Sequence, residues 1–151
     1  MPDRAVETKR EREPGVELME LLSASYSRMT RLMSCELERR CGIPLSWYEV
    51  LIQLGCANGS RLTMTQLASQ ISLTSGGVTR LIDRIAEAGL VERQNCPSDR
   101  RSVYVAITDE GRTTLETAST TYSSTVDRYL TAPLGADECK RISESLRRLS
   151  G

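Results

Sequence analysis

The chain has 151 residues, which suits a single domain, and its 39% hydrophobic and 26% charged residues are typical of a globular protein. Lys and Arg (20 residues) balance Asp and Glu (20 residues), so bulk charge does not indicate a nucleic-acid ligand. The sequence has no histidine, which excludes histidine-based metal sites, Ser-His or Cys-His nucleophile pairs and histidine general bases. We therefore predict a protein that is not an enzyme and that holds no metal and no cofactor.

The amino-terminal residues and the cysteines favour the cytoplasm. No run of about 18 apolar residues is present, and the charged residues 1–14 lack the apolar core of a secretory signal. No Cys-x-x-Cys pair occurs, so we expect reduced thiols in the cytoplasm and no association with a membrane. The cysteines are Cys35, Cys41, Cys56, Cys96 and Cys139.

Amphipathic helices are predicted at both ends of the chain. Residues 1–14 are predicted to form a mobile charged arm, and residues 15–42 form a long helix with apolar residues such as Leu18 and Leu22 on one side. The helix that Thr108 caps is interrupted at Pro133–Gly135, and a last helix follows. Because no sheet is available to cover these apolar stripes, we predict that residues 15–42 and 109–151 are dimerisation helices of a homodimer.

Residues 43–108 are predicted to form a compact module within this single, intertwined domain. Ser46 with Glu49, and Thr63 with Gln66, fit the capping-box pattern at the starts of two helices. A tight turn then precedes a third helix start at Thr74. Two short helices joined by such a turn predict a helix-turn-helix.

The helix that begins at Thr74 has two different faces. Val78, Ile82 and Ile85 recur at helical spacing and predict a buried side. The opposite side has small residues followed by arginines, which suits a DNA major groove, where an arginine can pair with guanine. An ordinary surface helix with a solvated polar face is the alternative interpretation. The polar side comprises Ser75, Gly76, Thr79, Arg80, Asp83 and Arg84.

Two predicted strands, Leu90–Arg93 and Val103–Ile107, enclose a turn that is basic at its tip. A basic hairpin beside a groove-binding helix can enter a minor groove, and we assign that contact to Arg101, with Asp99 holding its guanidinium. We assign Arg100 to a phosphate contact. A surface turn with a weak ion pair is the alternative.

The segments LTMTQLASQISLTSGGVTRLIDRIAEAGLVER and PSDRRSVYVAITDEGRTTL carry a resemblance to a known family. Over about residues 16 to 150 the chain resembles the MarR (multiple-antibiotic-resistance regulator) family of bacterial transcription factors. The resemblance implies a mainly α (α+β) winged helix-turn-helix with long terminal dimerisation helices. It also implies a recognition helix at residues 74–87, a wing at residues 95–102, and a nucleoid-associated protein when DNA is bound.

The resemblance together with the residue patterns predicts a ligand-responsive repressor of transcription. As a homodimer it would bind a pseudo-palindromic operator in double-stranded DNA, its recognition helices about 34–36 Å apart in successive major grooves. The predicted DNA-binding residues are Thr63, Thr65, Thr74, Ser75, Gly76, Gly77, Thr79, Arg80, Arg84, Ser98, Asp99, Arg100 and Arg101.

Many members of the resembled family release DNA when a small, often phenolic, anion binds between the dimerisation helices and the DNA-binding module. This implies a small aromatic or phenolic effector here, and aromatic side chains could stack on it. Packing in the core or in the interface is the alternative role for the corresponding residues. These are Met29, Met33, Leu37, Trp47, Tyr48 and Leu51.

Two further hypotheses remain open. Some members of the family sense oxidants through a cysteine near the start of the first helix, but Cys35 and Cys41 lie near the end of that helix, which favours structural thiols. A winged-helix module that binds another protein and never touches DNA is the second, and the zero net charge favours it.

Overall fold

A computed structural model of the protein describes residues 13–71, 75–95 and 102–150, and only the backbone of Ser75. The elements run in the order helix, helix, strand, helix, helix, strand, strand, and then three further helices. They are α1 (Pro14–Cys41), α2 (Leu45–Cys56), β1 (Arg61–Thr63), α3 (Met64–Gln70), α4 (Ser75–Glu87), β2 (Val91–Asn95), β3 (Val103–Ile107), α5 (Asp109–Val126), α6 (Ala132–Leu134) and α7 (Ala136–Ser150). A 3₁₀ turn (Asn58–Ser60) precedes β1, and a π-helical turn (Asp127–Thr131) joins α5 to α6.

The ends of the first two helices follow from local backbone chemistry. Gly42 adopts a left-handed conformation (φ 67°), and its N–H donates to the carbonyl of Glu38 at 3.1 Å, which ends α1 where predicted. The predicted capping box at Ser46 is wrong. Helix α2 begins two residues earlier than that cap implies, at Leu45, because the Pro44 carbonyl already accepts from the N–H groups of Trp47 and Tyr48.

The sheet has three strands in the order β1-β3-β2, and all neighbours are antiparallel. Arg61 lies opposite Ala106 and Thr63 opposite Tyr104, so the segment predicted only as a short extended piece is a paired strand. The hairpin strands are confirmed, with β2 starting at Val91 rather than one residue earlier. Three residues are too few for an alternating pattern to reveal a strand, so β1 is recognisable only from its partner.

The core lies where α1, α2, α3, α4 and α5 meet the sheet, and apart from Tyr48 its buried side chains are aliphatic. Leu37, Leu51, Leu67 and Ile82 are fully buried there and come from four different helices. The winged-helix module and the first long helix therefore share one hydrophobic core.

A short clasp joins the end of α4 to the start of α5. The Thr108 hydroxyl accepts from the N–H of Gly111 at 3.0 Å, which confirms the predicted cap, and donates to the carbonyl of Gly89 at 2.7 Å. The N–H of Thr108 donates to the carbonyl of Leu90 at 3.1 Å. At Gly111 a β-carbon would collide with that same Leu90 carbonyl, so the close approach requires glycine.

Helices α1, α6 and α7 and the π-helical turn expose large apolar side chains that nothing in the described part of the chain covers. Leu21 is 58% exposed and Leu149 is 75% exposed. The remaining members of this exposed set are Val16, Leu18, Met19, Leu22, Tyr26, Leu130, Leu134, Ile142 and Leu146. None of the described helices is long and apolar enough to span a membrane.

Candidate nucleic-acid interface

Helix α4 has the two faces that its sequence predicts. Val78, Ile82 and Ile85 are buried in the core, whereas Arg80 and Arg84 are exposed. Gly76 is exposed as well, and a β-carbon added there would meet no atom within 4 Å. Near its amino end the exposed face therefore presents the backbone of Gly76, and further along the helix it presents the guanidinium groups of Arg80 and Arg84. Thr74 and the side chain of Ser75 lie outside the described residues.

Helix α3 is held at the amino end of the helix-turn-helix by the predicted capping box. The N–H of Gln66 donates to Thr63 Oγ1 at 3.2 Å, and the N–H of Thr63 donates to Gln66 Oε1 at 2.9 Å. Leu67 anchors the same helix in the core, and Thr65 is exposed beside the cap. Helices α3 and α4 pack against each other, which is the arrangement of a helix-turn-helix.

An ion pair that the sequence patterns did not predict joins the hairpin to α4. Arg93 Nη2 on β2 lies 2.7 Å from Asp83 Oδ1 on α4, and both side chains are partly exposed. Arg93 shares its face of the sheet with Val91 and Val105, which are buried, and so it points toward the helix layer. The alternation along β2 indicates the face that Arg93 occupies, whereas its partner on α4 depends on how the hairpin packs against that helix.

The ion pair changes the charge that α4 presents. Asp83 is neutralised by Arg93, whereas Arg80 and Arg84 make no ion pair within 4.0 Å among the described residues. A chain of zero net charge therefore carries two uncompensated guanidinium groups on the exposed side of one helix.

The predicted wing tip lies outside the described residues, so Ser98, Asp99, Arg100 and Arg101 have no structural account here. The strands on either side of it are described as far as the pair Asn95 and Val103.

The predicted effector wall consists largely of buried side chains. Met33, Leu37, Tyr48 and Leu51 are buried, whereas Met29 and Trp47 are partly exposed. The Tyr48 ring stacks on Tyr122 of α5 with centroids 4.9 Å apart. Tyr122 is not among the residues that the sequence predicted for this wall.

Two titratable groups beside this stack are perturbed by their surroundings. Burial raises the pKa of Glu49, and burial also raises the pKa of Tyr122, with Tyr48, Glu49 and Tyr26 adding to the rise. Glu49, although exposed on α2, therefore lies close enough to the half-buried Tyr122 of α5 to influence its pKa. The sequence pattern predicted Glu49 only as part of a helix cap.

The described cysteines are free thiols. Cys35 and Cys56 are exposed, and Cys41 Sγ lies 3.5 Å from Thr121 Oγ1 between α1 and α5. Cys139 Sγ lies 3.9 Å from the carbonyl oxygen of Thr131, and Cys96 falls outside the described residues. Within the described ranges, no group of three or more Cys, Asp or Glu side chains could hold a metal ion.

The sequence of this chain is similar to those of known proteins from one family. The sequence profile of the MarR family matches residues 42–102. The chain is 30% identical over 107 residues to the multiple antibiotic resistance protein MarR of Escherichia coli, a match that spans 71% of this chain and 73% of that protein. It is 32% identical over 75 residues to the transcriptional repressor YetL of Bacillus subtilis, spanning 50% of this chain and 45% of YetL.

Two solved structures extend the likeness to the whole fold. Sco3205, a MarR family transcriptional regulator from Streptomyces coelicolor solved in complex with DNA, superimposes with a TM-score of 0.82 at 25% identity, covering 93% of this chain and 89% of that one. A mutant of MarR from Escherichia coli complexed with operator DNA superimposes with a TM-score of 0.79 at 27% identity, covering 89% and 94% of the two chains.

Proposed function

The chain belongs to the MarR family of transcriptional regulators, and on that premise we propose that it is a repressor whose homodimer binds a pseudo-palindromic operator. The observation that carries the proposal is helix α4, with its buried aliphatic side, its unhindered Gly76 and two exposed arginines that make no ion pair among the described residues. That combination suits a major groove, since the backbone can approach the bases while arginines reach guanine and phosphate.

Each part of the interface has a proposed role. Arg80 pairs with a guanine, Thr79 and Ser75 bond base edges or phosphates, and Arg101 enters the minor groove. Phosphate contacts belong to the helix-turn-helix and to the wing. The remaining proposed contacts are Thr63, Thr65, Thr74, Gly76, Gly77, Arg84, Ser98, Asp99 and Arg100.

The exposed apolar stripes support a homodimer. A monomer would leave side chains such as Leu21, Leu146 and Leu149 in water at roughly 25 cal/mol for each Å² of apolar surface. We assign residues 15–42 and 109–151 to the dimer frame and residues 43–108 to the DNA-binding module. A symmetric pair of modules matches a pseudo-palindromic site, with recognition helices about 34–36 Å apart.

We assign derepression to a small aromatic or phenolic effector that binds beside Trp47 and Tyr48 in the cytoplasm. The stack of Tyr48 on Tyr122 gives such a ligand an aromatic surface, and the carboxyl group of Glu49 gives it a hydrogen-bonding partner. Opening this region to a ligand would alter how α2 packs against α5.

The operator is unknown, so the test begins with selection of bound sequences from a random double-stranded DNA library. We expect an inverted repeat with half-sites about 10 base pairs apart. Arg80→Ala and Arg101→Ala should each weaken binding to the selected site, and only Arg80→Ala should relax the base preference within a half-site. Wild-type affinity of both variants in a mobility-shift titration at fixed salt would contradict the assigned contacts.

A winged-helix module that binds another protein is the second candidate, and the zero net charge favours it. DNA binding predicts a selected sequence whose affinity falls steeply with added salt, because counterions are released from phosphates. A protein-binding module predicts no enriched sequence at all. Oxidant sensing is tested in the same assay, since peroxide should then release DNA from wild type and not from Cys35→Ser or Cys41→Ser.

A further inference from the structure

A polar groove lies between the end of α2, β1, α3 and β3, and it shares Thr63 with the proposed DNA contacts. Its volume is about 490 Å³, within the roughly 300–1,000 Å³ of small-molecule sites. Most of its lining side chains are neutral hydrogen-bonding groups from α2, the 3₁₀ turn, β1, α3 and β3. The main ones are Gln53, Asn58, Thr63, Gln66, Gln70 and Tyr104.

Arg61 is the charged side chain of this groove, and no carboxylate lines it. Arg39, Arg40, Arg93 and Arg141 each pair with a carboxylate, whereas Arg61 has no ion pair within 4.0 Å in the described part of the chain. A single guanidinium among neutral amides gives the groove a positive potential, so its electrostatic complement is an anion.

The guanidinium group of Arg61 is oriented by a neighbouring aromatic ring. Arg61 Cζ lies 4.9 Å from the centroid of the Tyr104 ring, a cation–π contact between neighbouring strands. Thr63 pairs with Tyr104, and Arg61 lies two residues before Thr63 on the same strand. The side chains of Arg61 and Tyr104 therefore lie on the same face of the sheet. Stacking leaves the in-plane N–H donors of a guanidinium open to an oxyanion and reduces the entropy lost on binding.

Gln66 offers a second oriented donor. Its Oε1 accepts from the N–H of Thr63 at 2.9 Å and from the hydroxyl of Thr63 at 3.1 Å, which fixes the carboxamide at the edge of the groove. The carboxamide NH₂ group has no partner among the described residues. The groove therefore presents two kinds of hydrogen-bond donor, one charged and one neutral.

The groove faces away from the recognition helix. Leu62, Val105 and Arg93 share the sheet face that packs toward α4, as the contact of Arg93 with Asp83 demonstrates. Arg61 and Tyr104 alternate with these residues and so lie on the opposite face. The carboxylate of Glu92, also on that opposite face, belongs to the far strand β2 and accepts from Gln94 at 2.7 Å.

We infer that this groove is a binding site for a small free anion, in which Arg61 holds a carboxylate or phosphate group and the surrounding amides bond the rest of the molecule. The site is separate from the region proposed for the aromatic effector. It does not depend on the proposed repressor function, because the anion binds the free protein.

The test is a ¹H–¹⁵N NMR titration of the full chain with inorganic phosphate, and separately with acetate, at ionic strength held constant with sodium chloride. We expect saturable shifts at the backbone amides of Gln70 and Tyr104 and at the side-chain amide of Gln66. Arg61→Gln should weaken the affinity by about tenfold, because it removes the charge and the fork of donors. Arg61→Lys, which keeps the charge, should weaken it less.

Arg112→Gln is the matched control, since it removes an exposed arginine elsewhere on the surface and should leave the shifts unchanged. The absence of saturable shifts at the groove, or equal shifts in Arg61→Gln, overturns the proposal. A loss of operator affinity in Arg61→Gln as large as that in Arg80→Ala also overturns it, because Arg61 would then belong to the DNA interface.

Discussion

Arg93 on β2 and Asp83 on α4 form an ion pair with a separation of 2.7 Å between Nη2 and Oδ1. The pair joins the hairpin to α4. Because both side chains are partly exposed, the pair contributes only about 0.2–1 kcal/mol to the free energy of unfolding. We therefore expect its main effect on the orientation of the wing.

Arg93→Gln should weaken operator binding about two- to fivefold while changing the unfolding free energy by less than about 1 kcal/mol. A double-mutant cycle with Asp83→Asn in mobility-shift titrations checks the mechanism. If the effects of the two substitutions on operator affinity simply add, the ion pair does not orient the wing.

Gly76→Ala separates folding from DNA binding. The added methyl group meets no protein atom within 4 Å, and alanine favours a helix over glycine by up to about 1 kcal/mol, so stability should stay the same or rise. Operator affinity should fall, because the methyl group occupies space proposed for the groove floor. Gly15→Ala, equally unhindered on α1, is the control in both assays; equal DNA affinity of the two variants would argue against close approach at Gly76.

Leu146→Glu tests the dimer frame. The residue lies on the exposed apolar stripe of α7, and a charge there cannot be buried against a second copy without a large desolvation cost. We expect dissociation to monomers in sedimentation velocity at micromolar concentration. Lys140→Glu places a glutamate on the opposite side of the same helix, where the side chain is exposed, and should remain dimeric. If Leu146→Glu sediments like the wild-type protein, α7 is not part of the dimer interface.

Glu49→Gln should change the dependence of stability on pH. Burial raises the pKa of Glu49 above its ordinary value of 4.5, so ionisation of this carboxyl group disfavours the folded state. The stability that this group contributes is present in full below the ordinary pKa and is lost as the pH rises through the raised pKa of the folded state.

Glutamine does not ionise, so the stability of Glu49→Gln relative to wild type should increase between about pH 4 and about pH 7. Urea unfolding at both values measures it. Glu116→Gln, which removes an exposed carboxylate from α5, is the control. A difference between Glu49→Gln and wild type that stays constant over this range would show that Glu49 is not perturbed in solution.

Local patterns predicted the features that depend on few neighbouring residues. The capping box of Thr63 with Gln66, the cap at Thr108 and the buried spacing of Val78, Ile82 and Ile85 are confirmed, because each is decided within one or two turns of a helix. The cap predicted at Ser46 is wrong because the neighbouring Pro44 starts the helix first.

Features that join distant parts of the chain could not be predicted from local sequence patterns. Strand β1 has three residues and exists through β3, which lies some forty positions further along the sequence. The contacts of Asp83 with Arg93 and of Arg61 with Tyr104 need the strand register, which no periodicity of a single segment supplies.

The clasp between Thr108 and the end of α4 has a mechanical consequence for the proposed dimer. The carbonyl groups of Gly89 and Leu90 accept hydrogen bonds from Thr108 at the start of α5, and Gly111 packs closely against Leu90, so these contacts couple the position of α4 to that of α5. In the proposed dimer, the dimer frame (residues 15–42 and 109–151) then sets the distance between the two copies of α4. An effector that rocks one α5 against the other would shift that spacing and put both helices out of register with the turns of the DNA.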